Sequence, residues 1–372
     1  MSNAVPENPK PKLKVLMVAP ALPIVGGQTV QAARLMAALA GEPDVIVELQ
    51  PINPKFLPSL QKIKYIRTVV TSLKYISDLL FKVPRYDIIH IFSASYSSFL
   101  LAPTPAVLVA KLFAKKTILN YRSGEMSDHL TTWRRTAVPT IRLFDSIITP
   151  SGYLVDEFAK FGLVANSVFN FVDLDRFIFR KREPLRPAFL SNRNFEPHYN
   201  VPCTLRAFAI IQEAMPGASL IVAGDGPERR RIHELAAKLA LKNVEFIGKL
   251  QPEDMPTIYD RADVYLNSPS IDNMPNSIIE AFACGLPIVS TDAGGIPYIV
   301  ENGRTGLLVG VDDHEALARE ALRLFREDTL ADRLIASARE EVQKYTWKNV
   351  RAEWLRTYRE LVEDRGVQVE AV

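Results

Sequence analysis

The chain has 372 residues, of which 48% are apolar and 23% charged, with a formal net charge of +3. This exceeds the ~100–200 residues of a single domain, so two core-forming domains are expected. The near balance of charge excludes a nucleic-acid binder that works by overall electrostatics, and the apolar content excludes a disordered chain.

Met1 to Pro11 holds three prolines and no apolar core, so residues 1–12 read as a flexible lead-in and not a secretion signal. Beyond it, short apolar runs alternate with amphipathic stretches, the rhythm of parallel sheets wrapped in helices. Lys14 to Ala19 is predicted as a strand, followed by a loop with Gly26–Gly27 and a helix over Val30 to Leu39. Further strands are expected at Val45 to Leu49, Asp87 to Phe92, Lys116 to Asn120 and Ser146 to Thr149. The longest apolar stretch, Phe99 to Ala110, carries Pro103 and Pro105, which suit the first turn of a packed helix. No window reaches the ~18 uncharged apolar residues of a membrane span.

Between Asn170 and Pro187 the pattern lapses into Asp, Arg and Pro with isolated aromatics, as an interdomain connection would. A second series then places strands at Ala188 to Ser191, Ser219 to Ala223, Val244 to Ile247, Val264 to Asn267, Ile288 to Ser290 and Gly306 to Val309. Its helices show a 3.6-residue period, as in Leu317, Ala321, Leu324 and Phe325, with Asp312 and Glu315 as a capping pair. Tyr345 to Leu361 is a last amphipathic helix. The expected organisation is therefore an α/β chain with domains at 13–177 and 178–344 and a tail at 345–372. Cys203 and Cys284 fall in predicted helices and read as buried apolar residues, which suggests a reducing, cytoplasmic setting.

Open α/β sheets bind ligands where strands end and backbone N–H groups converge. Gly26–Gly27, Gly224-Asp225-Gly226-Pro227 and Asp292-Ala293-Gly294-Gly295-Ile296-Pro297 all have that form, with Pro227 suited to the first position of a helix. Each glycine pair lets a backbone approach a diphosphate, and each also serves a plain turn. Asp272-Asn273-Met274-Pro275-Asn276-Ser277 enters a helix that Asn276 or Ser277 can cap, with Glu280 one turn inside. Glu280 at this place reaches the paired hydroxyls of a sugar or merely balances the helix dipole.

The run from Asn267 to Pro297, with Ala223-Gly-Asp-Gly-Pro227, Phe246-Ile-Gly248, Asn302-Gly-Arg-Thr-Gly306 and Val172-Asp-Leu-Asp-Arg-Phe177, closely resembles glycosyltransferase family 4. The resemblance covers the second domain strongly and the first weakly. It implies a GT-B fold, two Rossmann-like doubly wound domains facing across a cleft, and a retaining, metal-independent enzyme using a nucleotide-diphosphate sugar. It puts Glu280 on the ribose, Asp272 near the donor sugar, and the backbone of Asn273, Met274, Pro275 and Asn276, with Ser277, on sugar hydroxyls. Arg193 would neutralise the departing diphosphate, while Gly26, Gly27, Gly224, Gly226, Phe246 and Ile247 would line the donor. The acceptor would be a glycan, a lipid-linked molecule or a small molecule, and the tail helix would cross back to the first domain. No cofactor beyond the donor substrate and no nucleic-acid partner is implied.

The chain departs from the family's pattern at three places. Asp272 stands where a Glu is usual, and Asn194 to Val201 lacks the Lys expected a few residues after Arg193. Arg122, in Asn120-Tyr-Arg-Ser-Gly-Glu125, occupies the place of a His and is expected to restore positive charge. His90 and Glu125 are expected on the acceptor side. Asp173 and Asp175 read as turn chemistry, and no metal site is predicted. Residues 55–85 interleave Lys55, Lys62, Lys64, Arg67, Lys74, Lys82 and Arg85 with apolar side chains, fitting either a packed helix or peripheral contact with an anionic inner membrane face. The rival functions are an epimerase or phosphorylase on the same fold, and a catalytically silent scaffold.

Overall fold

The structure, a computed structural model, describes residues 12–21, 26–54, 64–93 and 95–369. The chain groups into two compact units, the first comprising residues up to Arg122, His129–Ile148 and the chain from Leu355, the second Ser123–Asp128 and Thr149–Trp354.

In chain order the first elements are β1 (Leu13–Ala19), α1 (Gly27–Ala40), β2 (Val45–Pro51), α2 (Lys64–Lys82), β3 (Ile88–Ser93), α3 (Tyr96–Leu101), α4 (Pro103–Leu112) and β4 (Lys116–Tyr121). They continue with α5 (Met126–Thr132), α6 (Arg134–Ile141), β5 (Ser146–Thr149), α7 (Gly152–Ala159) and β6 (Asn166–Ser167). The sheet order is β2-β1-β3-β4-β5-β6, and β1 pairs in parallel with both β2 and β3. Every residue of β3 is buried, as expected for a parallel strand covered on both faces. Pro103 opens α4, where its missing N–H costs no helical bond.

The second series runs β7 (Ala188–Ser191), α8 (Val201–Ala214), β8 (Ser219–Ala223), α9 (Arg229–Lys238), β9 (Val244–Gly248), α10 (Met255–Arg261), β10 (Val264–Asn267) and α11 (Asn276–Cys284). It ends with β11 (Ile288–Thr291), β12 (Leu307–Val309), α12 (His314–Arg326), α13 (Leu330–Glu341) and α14 (Trp347–Val369). The strand order β12-β11-β10-β7-β8-β9 is that of a Rossmann sheet, with its reversal between β7 and β10. Two apolar cores flank this sheet, one around Phe189, Phe208 and Leu317 and the other around Tyr259, Tyr265 and Phe282. Cys203 and Cys284 are buried and form no disulfide.

Several local expectations change. Helix α9 begins at Arg229, because Glu228 N donates to the Phe195 carbonyl at 3.0 Å and Pro227 is left in the preceding turn. The cap of α12 is Asp313, whose Oδ1 accepts from Ala316 N at 2.8 Å, while Asp312 takes a left-handed backbone. The loop at Gly294–Pro297 opens only a 3-10 turn at Ile296–Tyr298. The segment 149–177 groups with the second unit, in which Asn170 Nδ2 donates to the Met274 carbonyl and Val172 N to the Tyr345 carbonyl, both at 2.8 Å.

Candidate functional site

The reversal of strand order opens a crevice at the carboxyl ends of β7 and β10, where loops diverge to opposite faces of the sheet. Arg193 leaves β7 there, and Asp272 lies on the loop that follows β10. Arg193 is 8% exposed, and its Nη2 donates to Asp272 Oδ2 in an ion pair. Its Nη1 donates to Ser277 Oγ at 3.0 Å, and its Cζ lies 3.9 Å from the centre of the Tyr199 ring. Nε is buried with no hydrogen-bond partner. Burial alone would lower the guanidinium, but the adjacent Asp272 carboxylate more than reverses this and holds it above the usual arginine range. The other Asp272 oxygen accepts from Asn273 N at 2.8 Å, which fixes the carboxylate.

Helix α11 starts beside this pair. Its cap is Pro275, and neither Asn276 nor Ser277 caps it as the sequence suggested. The Ser277 hydroxyl is taken by Arg193, and Asn276 Oδ1 accepts from Asn170 Nδ2 at 3.1 Å. The first-turn N–H groups therefore have no side-chain cap, and the helix presents its positive end. Glu280 is buried one turn inside and accepts at 3.0 Å from the Tyr259 hydroxyl, which receives Asn192 Nδ2 at 2.7 Å. Burial, reinforced by Glu280, keeps the Tyr259 phenol far above its ordinary range, so it remains a donor to that carboxylate. Asn273 is buried, receives the Ser151 hydroxyl on Oδ1, and leaves Nδ2 without a partner.

The glycines position these loops. Gly224 has φ +155°, and a Cβ there would collide with the Arg193 carbonyl. Gly294 has φ +55°, and a Cβ there would strike the Asp272 carbonyl, just as Gly295 lies against that of Asn273. Backbone meets backbone at these points, which accounts for the glycines by close approach of the loops carrying Arg193 and Asp272. Gly226 follows in the same turn, with its N–H bonded to Asp225 Oδ1 at 2.9 Å. Phe246 and Ile247 are half-buried on the edge strand β9, the Phe246 ring tilted against that of the exposed His233 with centroids 4.3 Å apart. Met274 and Pro275 are buried at the entry to α11.

In the first unit, Gly26 and Gly27 start α1, with open space beside Gly26. His90 is fully buried, its Nδ1 2.8 Å from the Tyr358 hydroxyl and its Nε2 3.0 Å from Asn120 Nδ2. Burial, with the charge of Arg122, pushes the ring down to about 3, so it is a neutral core histidine with no exposed atom for an acceptor. Arg122 is half-buried, donates to Asn120 Oδ1 at 3.2 Å and lies over Phe92. Burial lowers it to about 9, which leaves it charged at neutral pH. Glu125 is half-buried on a segment that belongs to the second unit, where Gly124 touches the Asp272 backbone. Asp173 Oδ1 accepts from Asp175 N at 3.0 Å, the turn role expected of it. Among the described residues no group of three His, Cys, Asp or Glu is placed to hold a metal ion.

Sequence reasoning missed Tyr199, Tyr259, Asn192, Asn170 and Ser151. Only Tyr199 carried a signal, standing within the stretch after Arg193 where a Lys was expected.

A family model described as glycosyl transferases group 1 matches residues 175–341. A phosphatidyl-myo-inositol mannosyltransferase of Mycobacterium leprae is 29% identical over 177 residues, 47% of this chain and 46% of that protein. An N-acetyl-alpha-D-glucosaminyl L-malate synthase of Bacillus anthracis is 29% identical over 186 residues, 47% of this chain and 48% of that protein. The matched region thus spans about half the length of these curated relatives. The Anabaena HepE protein in complex with UDP and glucose superposes with a TM-score of 0.73 at 15% identity, covering 97% of this chain and all of that one, which shows the GT-B fold. The match to the glycosyl transferases group 1 model lies within residues 175–341, somewhat less than half of the chain, and it is this region that is similar to that family.

Proposed function

We propose that this chain is a retaining, metal-independent glycosyltransferase that moves a sugar from a nucleotide-diphosphate sugar to a glycan, lipid-linked or small-molecule acceptor. One observation carries the reading. A buried arginine with an unpartnered Nε stands beside the uncapped N-terminus of α11, with a buried carboxylate one turn inside that helix. Such an arrangement suits an anion at the arginine and hydroxyls at the carboxylate. In the proposed mechanism the second unit holds the donor, with Glu280 on the ribose and the loop from Asn273 to Ser277 on the sugar. Arg193 and the helix end stabilise the charge that grows on the diphosphate as the sugar–phosphate bond breaks. The first unit recognises the acceptor, with its Arg122 as the candidate charge-supplying residue and Glu125, on the short segment of the second unit that follows Arg122, as the candidate acceptor-side residue. Retention follows from the family resemblance.

The test is calorimetric titration with UDP, GDP and ADP of the wild type and Glu280→Ala. Micromolar binding of one nucleotide, weakened in the variant, supports the reading, and acceptor-dependent release of that nucleotide separates transfer from epimerisation. Failure of all three to bind would favour the silent scaffold, a reading encouraged by Asp272 already neutralising Arg193.

We extend the proposal to a lipid-surface contact. Val69, Leu73 and Leu80 project from one stripe of α2, and Leu101, Leu108 and Leu112 are exposed on α3 and α4, the latter packed beside α2. Residues 64–116 carry eight Lys or Arg against two Asp, which suits an anionic membrane. The side chains of Lys64 and Arg67, and all of residues 55–63, lie outside the described residues. Among the described residues no helix is long and apolar enough to cross a membrane. Salt-sensitive sedimentation with phosphatidylglycerol vesicles, lost in Leu73→Glu/Leu112→Glu, is expected; equal sedimentation of both proteins would remove this contact.

A further inference from the structure

We infer that Tyr199 is a positioning residue of the donor site, whose ring holds the Arg193 guanidinium in place to meet a diphosphate as a single fixed cation. This rests on the donor-site reading above. The guanidinium is engaged on three sides: Asp272 at Nη2, Ser277 at Nη1, and the Tyr199 ring across one face at 3.9 Å. That distance is well inside the ~6 Å at which a ring face attracts a cation. The remaining nitrogen, Nε, is buried and unpartnered, so the cation is held with its Nε–H unused.

Tyr199 is itself held rigidly. It closes a 3-10 turn at Pro197–Tyr199, with its N–H bonded to the Glu196 carbonyl at 3.0 Å. The neighbouring carbonyl of His198 accepts from Ser270 N at 2.8 Å, and that of Asn200 from Ser268 Oγ at 2.9 Å. Asn200 takes a left-handed backbone at φ +46°, and its Nδ2 donates to Asp312 Oδ1 at 2.6 Å. The turn is therefore fastened to the loop after β10, the same loop that carries Asp272. The chain has no Lys between Asn194 and Val201, so rigidity of one arginine here takes the place of a second charge. A held guanidinium loses less freedom when it binds, which strengthens a diphosphate contact without any new group.

The experiment compares Tyr199→Phe with Tyr199→Leu, titrating each with UDP, GDP and ADP and with the matching nucleosides. Phe keeps the ring face and is expected within about twofold of wild type. Leu keeps apolar bulk without the ring face and is expected to weaken the diphosphate roughly 3- to 30-fold, with nucleoside binding unchanged. Equal diphosphate affinity for the two variants, or equal loss of nucleoside and diphosphate, would overturn the inference. Should Tyr199→Leu unfold, Tyr199→Met gives the same comparison. If wild type binds none of the nucleotides, the donor-site reading itself fails, whereas wild-type binding with indifferent variants removes only the role of Tyr199.

Discussion

The Arg193 guanidinium and the Asp272 carboxylate form an ion pair that joins the loop after β7 to the loop after β10, where the sheet order reverses. The pair makes Asp272 both the support of the cation and its competitor for an anionic ligand. Arg193→Ala is expected to weaken nucleoside diphosphate binding by roughly 10- to 100-fold, the range for hydrogen bonds to a charged group. Asp272→Asn keeps the side-chain shape while removing the counter-charge, so it should tighten diphosphate binding several-fold. Calorimetry on both variants checks the opposite signs.

Glu280 is oriented by the Tyr259 hydroxyl, which in turn receives Asn192. Glu280→Gln is expected to weaken nucleotide binding about tenfold and Tyr259→Phe about threefold. Because the two groups share one network, the double variant should lose less than the sum of the two free energies. Additive losses in the double-mutant cycle would mean that Tyr259 acts elsewhere.

Gly294→Ala should destabilise the protein by about 2–3 kcal/mol, since both the left-handed backbone and the Asp272 carbonyl oppose a Cβ. Gly303 has φ +77° and open space around it, so Gly303→Ala incurs only the backbone term of about 1 kcal/mol. Denaturant melts of the two variants measure the difference.

Asp263 is fully buried beneath the same sheet, accepting from Arg186 Nε at 2.9 Å and from Arg180 Nη2 at 2.5 Å. Burial opposes its charge, but the hydrogen bonds from Arg186 and Arg180 outweigh this and hold it at about 2. A carboxylate lowered on folding contributes stability above its unfolded value near 4, and that contribution is lost as pH falls through about 2. The expected loss is about 2 kcal/mol, and Asp263→Asn should abolish this acid step while costing about 3 kcal/mol at neutral pH. Chemical denaturation between pH 7 and pH 2 reads both effects.

Most strands were legible because a parallel strand buried on both faces must be a short, continuous apolar run, as Val15 to Ala19 and Leu220 to Ala223 are. The loops at Gly224 and Gly294 were legible as special turns, although their glycines answer to backbone contact. Helix starts were less legible. A cap depends on which neighbour reaches the side chain first, and Ser277 was taken by Arg193 from 84 residues away.

The sequence by itself determined the α/β class, the twofold doubling of the unit and the residues of the special loop after β10, because periodicity and local turn chemistry are written over a few consecutive positions. Only the tertiary structure decided that Arg193 is clamped between Asp272, Ser277 and Tyr199, that Glu280 is oriented by Tyr259, and that His90 is a core residue. Those relations join positions far apart in the chain, and long-range proximity follows from strand order and loop packing, which local pattern does not encode.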